Sequence, residues 1–267
     1  MALLSRLPLH DSKIGMLFIR PTNPVSLRLA RFALLLACAA GLTVGLSGPL
    51  HRYFGVEADV AISVFRYGFY IAAAAIALAL ATIVPTRPGD RRRGFLAALL
   101  ALAIGAAAAW APVNWLLRAR EAPLINDITT DTANPPPLVL TLQLRRDATS
   151  PPGYGGESVA SLQRAGYPDI QPIVLNVPPA EAFKKADRVA MAMGWDVVAR
   201  APADGRIEAV NTTKWFGFHD DIVVRIKPDG ARGSRIDIRS KSRVGRSDLG
   251  VNAQRIRDFT QRLKAEP

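Results

Sequence analysis

Three apolar runs, at 29–46, 60–84 and 95–117, constrain this chain more than anything else in it. Each is close to the ~20 residues an α-helix needs to cross the hydrocarbon of a bilayer. Inside lipid every backbone N–H and C=O must be satisfied within the segment, so runs of this kind joined by short polar loops are read as spanning helices.

The flanking cations give an orientation. Arg6, Lys13, Arg20 and Arg28 precede the first run, and Arg87, Arg91, Arg92 and Arg93 lie in the second loop, whereas the first loop holds only Arg52. Lys and Arg accumulate on the cytoplasmic side. The expectation is a multi-pass protein of a bacterial inner membrane, with a cytoplasmic segment 1–28 and a periplasmic domain at 121–267. Arg118 and Arg120 weigh mildly the other way, but a whole domain is translocated regardless of such charges. Tyr53, Phe54, Tyr67, Tyr70, Trp110 and Trp115 gather near the expected outer ends, as an interfacial belt does. Arg66 lies near the outer end of the second run, where it can snorkel. Cys38 closes an "LLAC" that loosely resembles a lipoprotein cleavage box, but the apolar run continues past it, so it is read as a small packed residue.

After Arg118 the composition becomes that of a globular domain. Of the net charge of +12, +7 falls before that point (eleven Lys/Arg against four Asp/Glu) and +5 after it (twenty-three against eighteen). That excess lacks the dense basic patch and interleaved aromatics of a nucleic-acid binder, so no nucleic-acid partner is expected. One cysteine and three histidines, His10, His51 and His219, exclude an intrachain disulfide and a Cys/His zinc site. Phosphate-binding and dinucleotide glycine patterns are absent, and no cofactor is expected.

Residues 121–171 are rich in Pro and Gly and are expected to wrap the rest of the domain. Within them the alternation Leu138, Leu140, Leu142, Leu144 predicts a strand. The remainder is regular: strand 173–177, a helix inside 178–194, strands 195–200, 206–212, 221–227 and 235–240, and a final helix 249–264. Ile222, Val224 and Ile226 alternate with Val223, Arg225 and Lys227, and Ile236 and Ile238 with Arg235, Asp237 and Arg239. The fold class is therefore three membrane helices plus an α+β domain: an antiparallel sheet with two helices packed on one face, helix-grip-like, and a charged, wet opposite face.

The stretch "SKSRVGRSDLGVNAQRI" at 240–256 concentrates four cations, three serines, two glycines and an asparagine. One reading is architectural: Ser247 or Asp248 caps the last helix, Asn252 bonds backbone, and the arginines pin the preceding loop. The other is an anion site, because a helix N-terminus offers free N–H groups and arginine forks suit carboxylate or phosphate. The candidate ligand-binding residues are Arg239, Arg243, Arg246, Ser247, Asp248 and Asn252, with Asp127, Thr130 and Asp131 as neighbours on the same surface. Asp127, Asp131, Asp220, Asp221 and Asp248 match no cation-loop spacing, and no metal site is expected. A hydrolase-like centre would draw on His219, Asp220 or Asp221 with Ser242 or Ser247; no catalytic residue is assigned.

"INDITTD" at 125–131, the prolines that follow, "YPDI" at 167–170, "GW" at 194–195, "DD" at 220–221 and "RSKSRVGRSDLGVNAQRI" at 239–256 resemble a bacterial and plastid family known only as a domain of unknown function, DUF1499. The resemblance covers about residues 121–267 and implies a module with no established reaction. The expected function is binding of a protein partner or of a lipid headgroup or other anionic envelope component. The alternatives are an envelope enzyme of hydrolase type and a structural tether in a membrane complex.

Overall fold

The computed structural model describes residues 24–86, 92–146 and 148–266, without the side chains of Arg92 and Arg93. Arg6, Lys13, Arg20, Arg87 and Arg91, which carry part of the charge argument, and most of the 1–28 segment lie outside the described residues. The chain forms two compact units, Met1–Leu42 with Gly68–Ala109 and Thr43–Tyr67 with Trp110–Pro267.

The apolar runs fall on three helices, α1 (Pro24–Phe54), α2 (Ala58–Ile83) and α3 (Arg92–Glu121). All three are long and apolar enough to cross a membrane. Within the first unit they meet through alanines. Ala33, Ala37, Ala75, Ala79 and Ala101 form one cluster, and Ala40, Ala72, Ala108 and Ala109 a second. Small side chains let backbones approach closely where lipid gives no hydrophobic drive between helices. The larger Leu29, Phe32, Leu35 and Leu42 point away from these seams.

The second unit contains the remaining parts of these helices and a six-stranded antiparallel sheet. Its elements are β1 (Asp127–Thr129), α4 (Leu140–Gln143), α5 (Glu157–Gly166), β2 (Ile173–Leu175), α6 (Pro179–Ala192), β3 (Asp196–Ala201), β4 (Arg206–Thr212), β5 (His219–Asp229), β6 (Gly233–Ser242) and α7 (Val251–Ala265). The strand order is β1-β6-β5-β4-β3, and β2 also pairs with β6. β6 is thus shared: β5 runs along one edge, while β1 and β2 occupy successive parts of the other, with Ile128 opposite Ser240 and Ile173 opposite Ile236.

Strand alternation decides what each face buries. Ile222, Val224 and Ile226 of β5 and Ile236 and Ile238 of β6 form one apolar core with Ala182, Phe183, Ala186 and Val189 of α6 and Ala253, Ile256, Phe259 and Leu263 of α7. Trp195 stacks on Phe259 at 5.4 Å between ring centroids. Burying each such large side chain stabilises the fold by about 1.5–3 kcal/mol. α6 starts with Pro179 in its first turn, where the missing N–H costs nothing, and stops before Gly194, whose φ of 73° suits a residue without Cβ. Both long helices of the domain lie on this one face.

Two expectations fail here. The strand predicted at 138–144 is instead the single helical turn α4. Its cause is Glu208, whose carboxylate accepts the N–H groups of Val139, Leu140 and Thr141 and the Thr141 hydroxyl at 2.8–3.1 Å. Three successive amides turned toward one carboxylate wind the chain, and strand alternation has no means of registering that partner. The charged sheet face is also covered over its centre, not wet throughout, and only its end near Lys227 and Arg235 stays open. Glu208 and Asp221 are 0 % exposed and Asp237 1 %, because contacts from the 131–154 segment cover them. β1 and α5 appear in the stretch read as loop-rich.

Candidate functional site

On the covered face the strands set acids beside cations. β1 pairs with β6 so that Asp127 lies opposite Lys241. Arg239 grips the Asp127 carboxylate with Nε and Nη2, both at 2.8 Å, and Lys241 reaches the same carboxylate at 2.8 Å. Arg239 also donates to the carbonyls of Pro136 and Pro152 and lies over the Tyr154 ring, so it ties the covering segment down. Burial pushes the Tyr154 hydroxyl up to about 12, and the Asp127 carboxylate adds to that. Burial likewise holds the Lys241 amine below its ordinary range, against the pull of Asp127.

Two more clusters flank this one. Asp221 receives Arg243 from one direction and Arg145 from another. Asp237 and Asp131 share Arg225, at 2.8 and 2.9 Å, and Arg235 completes that set. Thr130 accepts the Ile238 N–H through its hydroxyl oxygen. At Glu208 burial raises the carboxyl pKa, but the three amides and the hydroxyl of Thr141 outweigh it and leave the group below its ordinary value. Buried charges persist when paired and fully hydrogen-bonded.

The 240–256 stretch crosses from this face to the helix face. Asn252 accepts from the Ser240 hydroxyl at 2.7 Å and donates to Ser242 and to the backbone carbonyl of Asn126. Arg255 joins Ser240, Asn252 and Asp220. Asp248 accepts the N–H groups of Gly250 and Asn252, so a carboxylate of the chain itself occupies the start of α7. Burial pushes Asp248 above the usual carboxylate range, opposed by those same amides. Ser247 accepts the Leu249 N–H.

The nine candidate residues therefore separate. Arg239, Asp127, Thr130, Asp131, Arg243, Asn252 and Asp248 spend their polar groups inside the domain. Ser247 is half-buried, and Arg246 is exposed. Among the described residues no group of three or more His, Cys, Asp or Glu side chains is placed to hold a metal ion. Asp220 and Asp221, the acids of the hydrolase reading, face arginines.

Where this stretch reaches the surface it borders an open cavity of about 650 Å³. Arg118, Trp195, Leu249, Val251, Gln254 and Asp258 contribute to its lining. Leu249 has a φ of 56°, the one positive value among described non-glycine residues. A branched side chain held there costs energy, of order 1–3 kcal/mol, that the surroundings must offset.

A second feature lies in the β4–β5 connection. Phe216 stacks on Trp115 of α3 at 5.7 Å and on Phe218 at 4.9 Å, and meets Phe65 of α2 edge-on. Phe218 packs against His51 of α1, and Arg52 donates to the carbonyls of Thr213 and Lys214. One loop thus engages the ends of three helices.

Sequence reasoning missed Glu208, Asp237, Arg145 and Arg225 as members of the buried charge network. The position of Glu208 between Ile207 and Ala209 put it on the polar face; nothing local signals that the face is covered. No sequence signal marks Leu249 or the Phe216 seat.

The family described as "Protein of unknown function (DUF1499)" matches residues 127–263, and the chain belongs to that family. No curated protein matches the chain.

Proposed function

We propose that this DUF1499 protein is a bacterial inner-membrane protein, N-terminus in the cytoplasm, whose periplasmic domain binds a segment of an envelope protein at the mouth of the Leu249 cavity. One observation carries the reading. Leu249 is kept in a costly left-handed conformation at the rim of an open cavity, and backbone strain of this kind concentrates where a surface has a task. The lining mixes the apolar Trp195, Leu249 and Val251 with Arg118, Gln254 and Asp258, which suits a peptide carrying both apolar and polar side chains.

The polar stretch 240–256 then acts as the frame. Its Arg243 and Arg255 neutralise Asp221 and Asp220 of β5 and its Lys241 faces Asp127 of β1, which holds β6, α7 and the covering segment together, and α7 presents Val251 and Gln254 outward. Its buried arginines already engage carboxylates of the same domain, which favours a protein segment over a headgroup or phosphate as the ligand.

The test uses the full chain in its membrane. A photo-reactive residue at Val251 or Gln254 is expected to give one discrete protein adduct, lost on Leu249→Asp, while the same residue at Val174, 60 % exposed on β2, gives none. Equal labelling from both places overturns the reading. Raised thermal stability with anionic headgroups, abolished by Arg246→Ala, would transfer the assignment to an anion ligand. Reporter fusions after Pro267 and within 85–94 are expected to report opposite sides of the membrane.

A further inference from the structure

The loop between β4 and β5, residues 213–218, ends in an indole that the partner reading leaves unused. Trp215 is 51 % exposed, yet a Cβ at Gly48 of α1 would run into it, so the Cδ1–Nε1 edge of its ring lies against α1 at the point where that helix lacks a side chain.

The level of this contact along the helices is the informative quantity. Tyr53 and Phe54, 70 % and 76 % exposed, lie beyond Gly48 toward the end of α1. Six residues at 1.5 Å each place Phe54 about 9 Å further along the axis than Gly48. On α2 the seat is Phe65, and the exposed Val60 lies ~7.5 Å beyond it toward the helix start. On α3 the seat is Trp115, and exposed Leu116 and Leu117 follow it. Exposed apolar side chains therefore continue past the loop on all three helices. A layer that covers Tyr53, Phe54 and Val60 must also cover Trp215.

The backbone of the loop is prepared for such a layer. Thr213 donates its N–H to the Phe218 carbonyl and accepts the Phe218 N–H on its hydroxyl. Gly217 donates to the Thr213 carbonyl, and Arg52 donates to the carbonyls of Thr213 and Lys214. Non-helical backbone at membrane depth is tolerated only where its polar groups find partners inside the protein. Lys214 and Arg52 also supply cations at the level where anionic headgroups lie.

We propose that the tip of the β4–β5 hairpin is a membrane-interface anchor: Trp215 inserts at the boundary of headgroups and acyl chains, and Lys214 with Arg52 meets the phosphates. The occupant of this surface is the lipid bilayer itself. The proposal rests on the reading of α1, α2 and α3 as membrane spans and is independent of the ligand assigned to the Leu249 cavity.

The single cysteine makes the test clean. In a Cys38→Ser background, nitroxide labels are placed by Trp215→Cys or Lys214→Cys, with Leu42→Cys as the lipid reference and Arg232→Cys, in the exposed β5–β6 turn, as the water reference. The full chain is reconstituted in phosphatidylcholine–phosphatidylglycerol vesicles, and collision with oxygen is compared with collision with a water-soluble nickel chelate. The oxygen-to-nickel ratio at 215 is expected to exceed that at 232 several-fold and to fall below that at 42. Lys214→Cys keeps the indole in place and is expected to read between 232 and 215. Labels at 214 and 215 that both match 232, while 42 reads as lipid, overturn the anchor alone. If 42 also matches 232, the membrane reading has failed and the anchor falls with it.

Discussion

Arg243 clasps Asp221 through two nitrogens, Nε at 3.1 Å and Nη2 at 2.8 Å, with the arginine side chain 7 % exposed and the aspartate 0 %. A pair this deeply buried acts less as a source of net stability than as a condition for folding correctly, because either member alone is a charge out of water. Asp221→Ala leaves both Arg145 and Arg243 without their carboxylate. It is expected to cost about 3–5 kcal/mol, read from the urea midpoint of the full chain. Arg246→Ala, on the exposed side of the same motif, is expected to change stability by less than about 0.5 kcal/mol. Equal losses in the two variants would contradict the buried Asp221 network.

Glu208 gives the domain an acid limit. Its folded pKa is depressed relative to an unfolded value of about 4.3, so its contribution is fully present above that pH and is lost as pH falls through the folded value. Wild type is expected to lose stability more steeply than Glu208→Gln below about pH 4. Near neutrality Glu208→Gln is expected to be less stable by about 1–3 kcal/mol, because one oxygen becomes a donor facing N–H groups. Parallel thermal midpoints across that range would rule this out.

Lys241 works in the opposite sense. Burial lowers its folded pKa, so between that value and the unfolded value of about 10.4 the unfolded chain binds more protons, and stability rises with pH. Lys241→Met keeps the Arg239–Asp127 clasp and is expected to cost less than about 1 kcal/mol at pH 7, or to stabilise. Wild type should gain on this variant as pH rises toward that unfolded value, which denaturation at stepped alkaline pH will read.

Leu249→Gly removes a side chain from a conformation that only glycine adopts freely. It is expected to raise stability by up to about 1 kcal/mol and to reduce adduct formation at Val251. A glycine that lowered stability by a similar amount would mean that Leu249 packing, not strain, dominates there.

Phe216→Ala empties the seat formed by Phe65, Trp115 and Phe218. A loss of about 3–5 kcal/mol is expected, as for other buried Phe truncations, with a shift in Trp115 emission. No change in emission would show that the ring stack is not formed.

Much of the fold was legible in the residues. The apolar runs are identified by length alone. The β5 and β6 alternation and the Pro and Gly brackets of α6 follow from local steric rules that need no knowledge of the rest of the chain. The wrapping of 131–154 over the sheet was not legible in that detail. Its anchors, Glu208 beneath Thr141 and Arg239 beneath Pro136 and Pro152, are separated from it by long stretches of chain, and a carboxylate or guanidinium carries no mark of its partner. The candidate set shows the same division. Asp127 and Arg239 were read onto one surface, and strand pairing does bring them together. That they would satisfy each other depends on a cover whose position no local pattern encodes.

The Phe216 seat also orders biogenesis. Phe65 and Trp115, which meet Phe216, and His51, which meets Phe218, belong to helices made early, whereas Phe216 and Phe218 emerge a hundred residues or more later. The hairpin can dock only after all three helices hold their places, and the C-terminal domain closes on a socket that already exists. A misplaced helix would leave the loop without its socket and the rings of Phe65, Trp115, Phe216 and Phe218 without their stacking partners. One ring stack thus ties the closing of the C-terminal sheet to the placement of all three helix ends.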